Sequence, residues 1–207
     1  MNTILKYFSN LSPTQVQQFE KMLRLYPEWN DKINVISRKD IDNLETQHIL
    51  HSLAIARFIQ FTPGTRILDI GTGGGFPGIP LAVLFPDVQF HLIDRIAKKL
   101  RVASDIANSI GLTNVTFQHG DIGECHERFD FVVSRAVMPQ ADLLRIVRKN
   151  IALQPQRNAI PNGLITLKGG DLSGEISTIR QNTELIDISP IFEEPFFETK
   201  KIVYTQP

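Results

Sequence analysis

The stretch LDIGTGGGFPGIP, Leu68 to Pro80, sets five glycines and two prolines directly behind an apolar run. Backbone without Cβ atoms turns sharply and lets a ligand approach, so the stretch reads as the end of a strand, a ligand-binding turn and the start of a helix. Its neighbours repeat that rhythm. RILDI (66–70), VQFHLID (88–94), VTFQH (115–119), FDFVVS (129–134) and LITLKG (164–169) are short apolar strands, each followed by a turn and all but the third by a helical pattern. Such alternation predicts an α/β fold, a parallel sheet with helices on both faces.

The last two strands, ELIDIS (184–189) and KIVYTQ (201–206), have no helix between them, only PIFEEPFFETK. They are expected as an antiparallel pair on the sheet edge, which brings the sheet to seven mostly parallel strands. The segment Gln154 to Asn162 reads as a connector at the sheet end opposite the ligand crevice. Upstream, Ser12 is an N-cap and Pro13 the first helical residue, with Val16, Phe19, Leu23 and Tyr26 at helical spacing. A second helix is expected from about Asp42 into FIQF (58–61), opened by an Asp42 and Glu45 pair resembling a capping box. The chain divides into a helical cap, 1–62, and a sheet domain, 63–207, as one globular unit.

Lysine plus arginine equals aspartate plus glutamate at 22 each, so no global basic field announces nucleic acid. The single cysteine, Cys125, excludes an internal disulfide and multi-cysteine metal sites, and suits a reducing compartment. No apolar run is long enough to span a bilayer, and no secretory signal is evident. A cytoplasmic protein without membrane contact or obligate protein partner, and monomeric, is the expectation.

In open parallel sheets ligands sit beyond the carboxyl ends of the strands. Here those ends carry Asp69 with Gly71-Thr72-Gly73-Gly74-Gly75, then Asp94, Asp121, Ser134-Arg135 and Lys168-Gly169. An adenosine half explains the first two, since a carboxylate ending the second strand can accept both ribose hydroxyls; Asp94 lies 23 residues after Gly71. Gly73 to Gly78 also matches the dinucleotide fingerprint G-x-G-x-x-G, so spacing alone admits a nicotinamide or flavin enzyme. Pro77 and Pro80, however, remove two donors a pyrophosphate would want, and Asp69 puts negative charge where an ammonium or sulfonium is favoured. S-adenosylmethionine carries both cations and no phosphate, and the loop suits it better.

The strand end VVSRAV lacks the Asn or Asp followed by Pro-Pro and an aromatic that enzymes methylating exocyclic amines commonly carry, and Cys125 lies away from it. An acceptor with an exposed lone pair, such as guanine N7, needs no base; alignment and desolvation then supply the rate.

The ordered set WNDKINVISRKD (29–40), HILHSL (48–53), LDIGTGGGFPGIPLA (68–82), LIDRIAKKLR (92–101), VSRAV (133–137) and LKGG (167–170) resembles the RsmG (GidB) family of bacterial 16S rRNA guanine-N7 methyltransferases. The resemblance implies a Rossmann-like class I S-adenosylmethionine-dependent methyltransferase fold with added N-terminal helices. It implies a guanosine of the 530 loop in 16S rRNA, or in a small-subunit assembly intermediate, as substrate. By position it assigns the cofactor to Gly71, Gly73, Phe76, Asp94, Ile122 and Gly123, beside Asp69 and Asp121. Arg135 would face cofactor and substrate, and Asn34, Arg38, His48 and Lys168 would join it in the reacting site; Trp29, Asn30 and Ser37 match the amino-terminal pattern. Ile36 and His51 depart from the family's frequent Thr and Asp.

Arg135 beside a cationic methylated guanine would repel it, so its expected task is to hold an RNA phosphate or the cofactor carboxylate. Glu45, His48 and His51 share a helix face without a further evident ligand, so no metal is expected. The stripes Arg95, Lys98, Lys99, Arg101 and Arg145, Arg148, Lys149 fit a solvated outer face as well as RNA. Phe76 fits a base-stacking role or a core position equally. A small-molecule or protein methyltransferase, a nicotinamide enzyme, and a non-catalytic RNA-binding assembly factor that senses S-adenosylmethionine remain as alternatives.

Overall fold

Ser12 opens the first long helix by a reciprocal cap: its Oγ accepts the Gln15 N–H at 3.2 Å, and Gln15 Oε1 accepts the Ser12 N–H at 2.9 Å. A computed structural model of the chain describes residues 1–135 and 137–207. A short helix α1 (Asn2–Tyr7) precedes this helix, α2 (Pro13–Asn30). Then come a 3-10 turn (Ile41–Asn43), a π-helical stretch (Leu44–Leu50) and α3 (His51–Phe58). The sheet domain follows as β1 (Arg66–Ile70), α4 (Gly78–Leu84), β2 (Gln89–Asp94), α5 (Ala97–Ser109), β3 (Val115–His119), β4 (Phe131–Arg135), α6 (Gln140–Val147), β5 (Gly163–Gly169), α7 (Ser173–Ile176), β6 (Thr183–Asp187) and β7 (Lys200–Thr205).

The sheet has seven strands in the order β3-β2-β1-β4-β5-β7-β6. β1 to β5 pair in parallel, and β7 inserts antiparallel between β5 and β6, so the expected edge pair is present. Strand order reverses between β1 and β4, which puts the crevice above their carboxyl ends. Alternation of side chains builds two cores. Ile67, Phe90, Leu92, Phe131 and Val133 face α2 to α5, while Leu68, Ile70, Ile93, Val132 and Leu164 face α6. After β3 only a 3-10 turn, Ile122–Glu124, fills the place of a helix.

The amino-terminal helices share the larger core with the sheet. Phe19, Met22 and Tyr26 of α2 are fully buried, and each such side chain contributes roughly 1.5–3 kcal/mol relative to exposure. Polar ties fix the helix lengthwise. Gln15 Nε2 donates to the Val83 and Leu84 carbonyls ending α4 (3.0 and 3.1 Å), Gln18 Nε2 to the Ile110 carbonyl ending α5 (3.1 Å), and Tyr26 Oη to the Gly74 carbonyl in the glycine turn (2.7 Å). One helix thereby spans from the base of the sheet to the crevice.

The Asp42 and Glu45 capping box is corrected. The backbone enters the π-helical stretch without a side-chain cap, and Glu45 instead accepts the Thr3 and Ile4 N–H groups (2.8 and 3.0 Å) and the Met1 ammonium (2.6 Å). It satisfies the open N-terminus of α1, a demand local spacing does not reveal. At the opposite end of the sheet from the crevice, Asn158 Oδ1 accepts the Thr62 N–H at 2.9 Å and Asn162 Nδ2 donates to the Ala152 carbonyl at 2.9 Å, so 154–162 serves as the expected connector. Among the described residues no helix is long and apolar enough to cross a membrane.

Tyr26→Phe removes only the buried bond to Gly74. Denaturant titration is expected to show a loss of about 1–2 kcal/mol, and unchanged stability would contradict a tie between α2 and the glycine turn.

Candidate functional site

Two cavities adjoin above the strand ends, and both are lined by Gly71 and Val137. The first, of about 410 Å³, is walled by Ile70, Ile93, Ile96, Ile122 and Met138 with Asp94 as its carboxylate. The second, of about 430 Å³, is lined by Lys99, Arg135, Lys168 and Lys200, with Asp40 as its acid and His48, His51, Phe76 and Phe196 as its rings. One half is a mostly apolar slot whose charged residues are Asp94 and Arg95, the other a cationic mouth.

The glycine turn between them spends most of its amides on internal hydrogen bonds. Gly71 and Thr72 donate to the Ile93 carbonyl (2.9 and 3.2 Å), and Gly75 and Phe76 to the Thr72 carbonyl (2.9 and 3.0 Å). Gly73 N donates to Asp94 Oδ2 at 2.7 Å and Gly78 N to Asp69 Oδ2 at 2.8 Å. Gly71 sits at φ +66°, where a Cβ would strike Val137; Gly73 sits at φ +57° with open space beside it. Left-handed backbone and that open face both call for glycine.

Asp69 does not line either cavity. It is buried beneath the turn, accepting Thr72 Oγ1 at 2.6 Å as well as Gly78 N, and burial pushes its carboxyl up to about 7. Its effect on a ligand acts through the turn it shapes, a correction to the expected direct contact. Asp94 is on the wall: Oδ1 accepts the Ile96 N–H at 2.7 Å and Oδ2 that of Gly73. A carboxylate offers about four lone-pair directions, so two remain for ligand hydroxyls.

Arg135 reaches across the second cavity to the amino-terminal helices. Its Nη1 donates to the Gln47 carbonyl at 3.2 Å, its Nη2 to His48 Nδ1 at 2.9 Å, and its guanidinium lies 5.0 Å from the Phe76 ring centre. Of the five guanidinium N–H groups, the rest have no acceptor among the described residues. Burial, and then the Arg135 charge, push the His48 imidazole down to about 3, so it is neutral and its Nδ1 is an acceptor. His51 is lowered in the same way, by burial first and Arg135 next.

Other expected residues are placed differently. Phe76 is 3% exposed, packed against Tyr26 at 4.7 Å and His48 at 5.4 Å between ring centres, and belongs to the core. Asp121 pairs with Arg95 and caps the 3-10 turn by accepting Gly123 N at 2.7 Å; that cap presents Ile122 to the first cavity, while Asp121 and Gly123 do not line it. Lys168 has its ammonium held by Glu175 Oε1 and the Met138 carbonyl, both at 2.8 Å, so it braces the cavity wall. Asn34 and Arg38 are exposed and line neither cavity; their loop is shaped by Asn30, whose Oδ1 accepts the Val35 and Ile36 N–H groups at 2.9 Å each. Of the basic stripe, Lys99 alone lines the second cavity. Residues not singled out beforehand, Val35, Asp40, Gln47, Phe196 and Lys200, complete it.

The arrangement fits S-adenosylmethionine. An apolar slot with a carboxylate suits an adenosine, and the bare face at Gly73 admits a close approach. A pyrophosphate needs free amides at the helix start, yet Gly73 and Gly78 already donate to carboxylates.

The two neutral histidines fix the sign of an acid effect. Unfolded, each takes up a proton below about 6.5; folded, His48 holds out until about 3. Unfolding then absorbs protons, and stability falls as pH drops from 6.5 towards 3. Asp69 acts oppositely: it keeps its proton in the fold up to about 7 where the unfolded chain releases it above 3.8, so its contribution is lost as pH rises through 7. His48→Asn keeps an acceptor for Arg135 without titrating, and a shallower loss of melting temperature between pH 6.5 and 4 is expected; an unchanged slope would contradict the neutral imidazole.

The family described as rRNA small subunit methyltransferase G matches residues 15–189. A ribosomal RNA small subunit methyltransferase G of Phocaeicola vulgatus is 61% identical over 204 residues, covering 99% of this chain and 97% of that protein. The protein of the same description from Bacteroides thetaiotaomicron is 59% identical over 206 residues, covering 100% of both. Among solved structures, a putative O-methyltransferase of Nostoc punctiforme superposes with a TM-score of 0.60 at 16% identity, covering 99% of this chain and 71% of that one. An S-adenosylmethionine-dependent methyltransferase of Aquifex aeolicus does so with 0.56 at 15% identity, covering 82% and 98%. The two superpositions show the fold, and the family match and the two relatives show that the chain belongs to the rRNA small subunit methyltransferase G family.

Proposed function

We propose that this chain transfers the methyl group of S-adenosylmethionine to N7 of a guanosine in 16S rRNA, one in the 530 loop by family resemblance, in the cytoplasm. The observation that carries the reading is the pairing of an apolar slot bearing Asp94 with a cationic cavity whose imidazoles are too weakly basic to take a proton.

When bound, the cofactor supplies an electrophilic methyl on a sulfonium. Ile93 and Ile122 would enclose the adenine, Asp94 would accept the ribose hydroxyls, and the Gly71 to Gly73 backbone would run beside the methionine portion. Guanine N7 offers an in-plane lone pair and no proton, so a general base has nothing to do there. His48 at about 3 suits that reaction and would serve an amine or hydroxyl acceptor poorly. His48 and the Gln47 carbonyl brace Arg135, leaving its other N–H groups for an anion, either the cofactor carboxylate or an RNA phosphate. Lys99 and Lys200 extend the positive wall toward a phosphodiester backbone. A base inside a folded RNA must leave its stack to enter such a cavity.

Labelled methyl should pass from S-adenosylmethionine to 16S rRNA purified from cells lacking this protein, and strand scission at 7-methylguanosine should map it to one nucleotide. Label at many positions or in another chemical form would overturn the assignment. Asp94→Asn should raise the S-adenosylmethionine KM by about tenfold or more, since hydrogen bonds to charged groups contribute roughly 1.5–3 kcal/mol. Arg135→Lys loses the flat fork that spans Gln47, His48 and Phe76, and a drop of about tenfold in kcat/KM is expected. Full activity in that variant would contradict a bidentate anion contact.

A further inference from the structure

One wall of the cationic cavity comes from the chain beyond residue 189, where the family match ends. Phe196 lies in a 3-10 turn, Pro195–Phe197, and Lys200 opens β7. The Phe196 ring is half-buried and meets His51 and Phe197 at near right angles, 80° and 81°, with centres 5.4 and 5.1 Å away. Such packing fixes the tilt of the ring. Lys200 Nζ rests 4.6 Å from its centre. The side chain crosses bare backbone to get there: Lys200 pairs with Gly169 across β5 and β7, and a Cβ at Gly169 would stand 3.1 Å from Nζ and 3.2 Å from Cδ.

We propose that Phe196 is the platform on which the target guanine stacks, and that Lys200 turns to the adjoining phosphate when the base displaces it from the ring. The inference rests on the guanine-N7 reading above. Phe76, the other phenyl ring in the cavity, is 3% exposed among Tyr26, His48 and Arg135 and has no face to offer a base. Lys200 shows that the Phe196 ring attracts a cation in this setting. In the reaction the N7 lone pair forms the new bond to carbon as the carbon–sulfur bond breaks; sulfur ends neutral, the purine gains the positive charge, and no proton moves. A ring face that attracts cations favours the guanine more as that charge develops, which helps the transition state above the ground state.

Binding and turnover test this on the full chain. In the presence of S-adenosylhomocysteine, calorimetry with 7-methylguanosine 5′-monophosphate and with guanosine 5′-monophosphate should show the methylated, cationic base binding about fivefold tighter or more, although the cavity is itself cationic. Phe196→Leu should abolish that difference and lower kcat about tenfold with S-adenosylhomocysteine affinity intact, and Phe196→Trp should retain both. Lys200→Ala should weaken both nucleotides alike and flatten the salt dependence of RNA binding. Wild-type preference and rate in Phe196→Leu would overturn the platform, as would a parallel loss of S-adenosylhomocysteine affinity, which would mark a packing role. Formation of 7-methylguanosine by wild type and Phe196→Leu alike removes the platform and keeps the reaction; no 7-methylguanosine from wild type removes both.

Discussion

Two aspartates each hold one amide of the glycine turn. Gly73 donates to Asp94 and Gly78 to Asp69, and the proline that follows each of Phe76 and Ile79 has no amide to donate. A turn rich in glycine ordinarily gathers phosphate oxygens because its N–H groups point at them. Here most of those groups close on the protein, and the turn presents open backbone rather than a ring of donors. Asp69 also accepts Thr72 Oγ1, so a single buried aspartate side chain sets the path of the chain from β1 into α4. The slot beside it, with one acid among isoleucines, follows from that path.

The amino-terminal helices are part of the same construction. Tyr26 reaches the turn through the Gly74 carbonyl, and the π-helical stretch supplies the Gln47 carbonyl and His48 Nδ1 that brace Arg135. A guanidinium brought into a half-buried cavity is costly unless its N–H groups find acceptors. A neutral imidazole and a main-chain carbonyl meet that need without cancelling the positive charge, which stays available to an anion. Lys168 serves the architecture instead: Glu175 and the Met138 carbonyl anchor it to the segment after β4 and to α7.

Strands buried on both faces are nearly continuous apolar runs, so RILDI and its parallel partners were plain in the sequence, as was the Ser12 cap, whose partner is three residues away. Residues whose role depends on distant partners were not. Glu45 resembled a local cap because Asp42 is near; its acceptors' true donors, Thr3 and Ile4, are some forty positions upstream. Asp121 follows the end of β3, where a ligand-binding acid would sit, yet Arg95 and Gly123 take its oxygens. Phe196 and Lys200 lay in what read as a polar and aromatic link. Their place in the cavity follows from β7 pairing with β5, which sets Lys200 opposite Gly169, and register between strands that far apart leaves no local trace.

The account depends most directly on the turn being built for a nucleoside without phosphates. Isothermal titration of the purified chain with S-adenosylhomocysteine, and separately with NAD⁺, measures that choice. The geometry predicts saturable one-to-one binding of S-adenosylhomocysteine and no detectable heat with NAD⁺ at the same concentrations. Binding of NAD⁺ as tight as that of S-adenosylhomocysteine would mean that the amides at Gly73 and Gly78 release their carboxylates for a pyrophosphate, and would contradict the account.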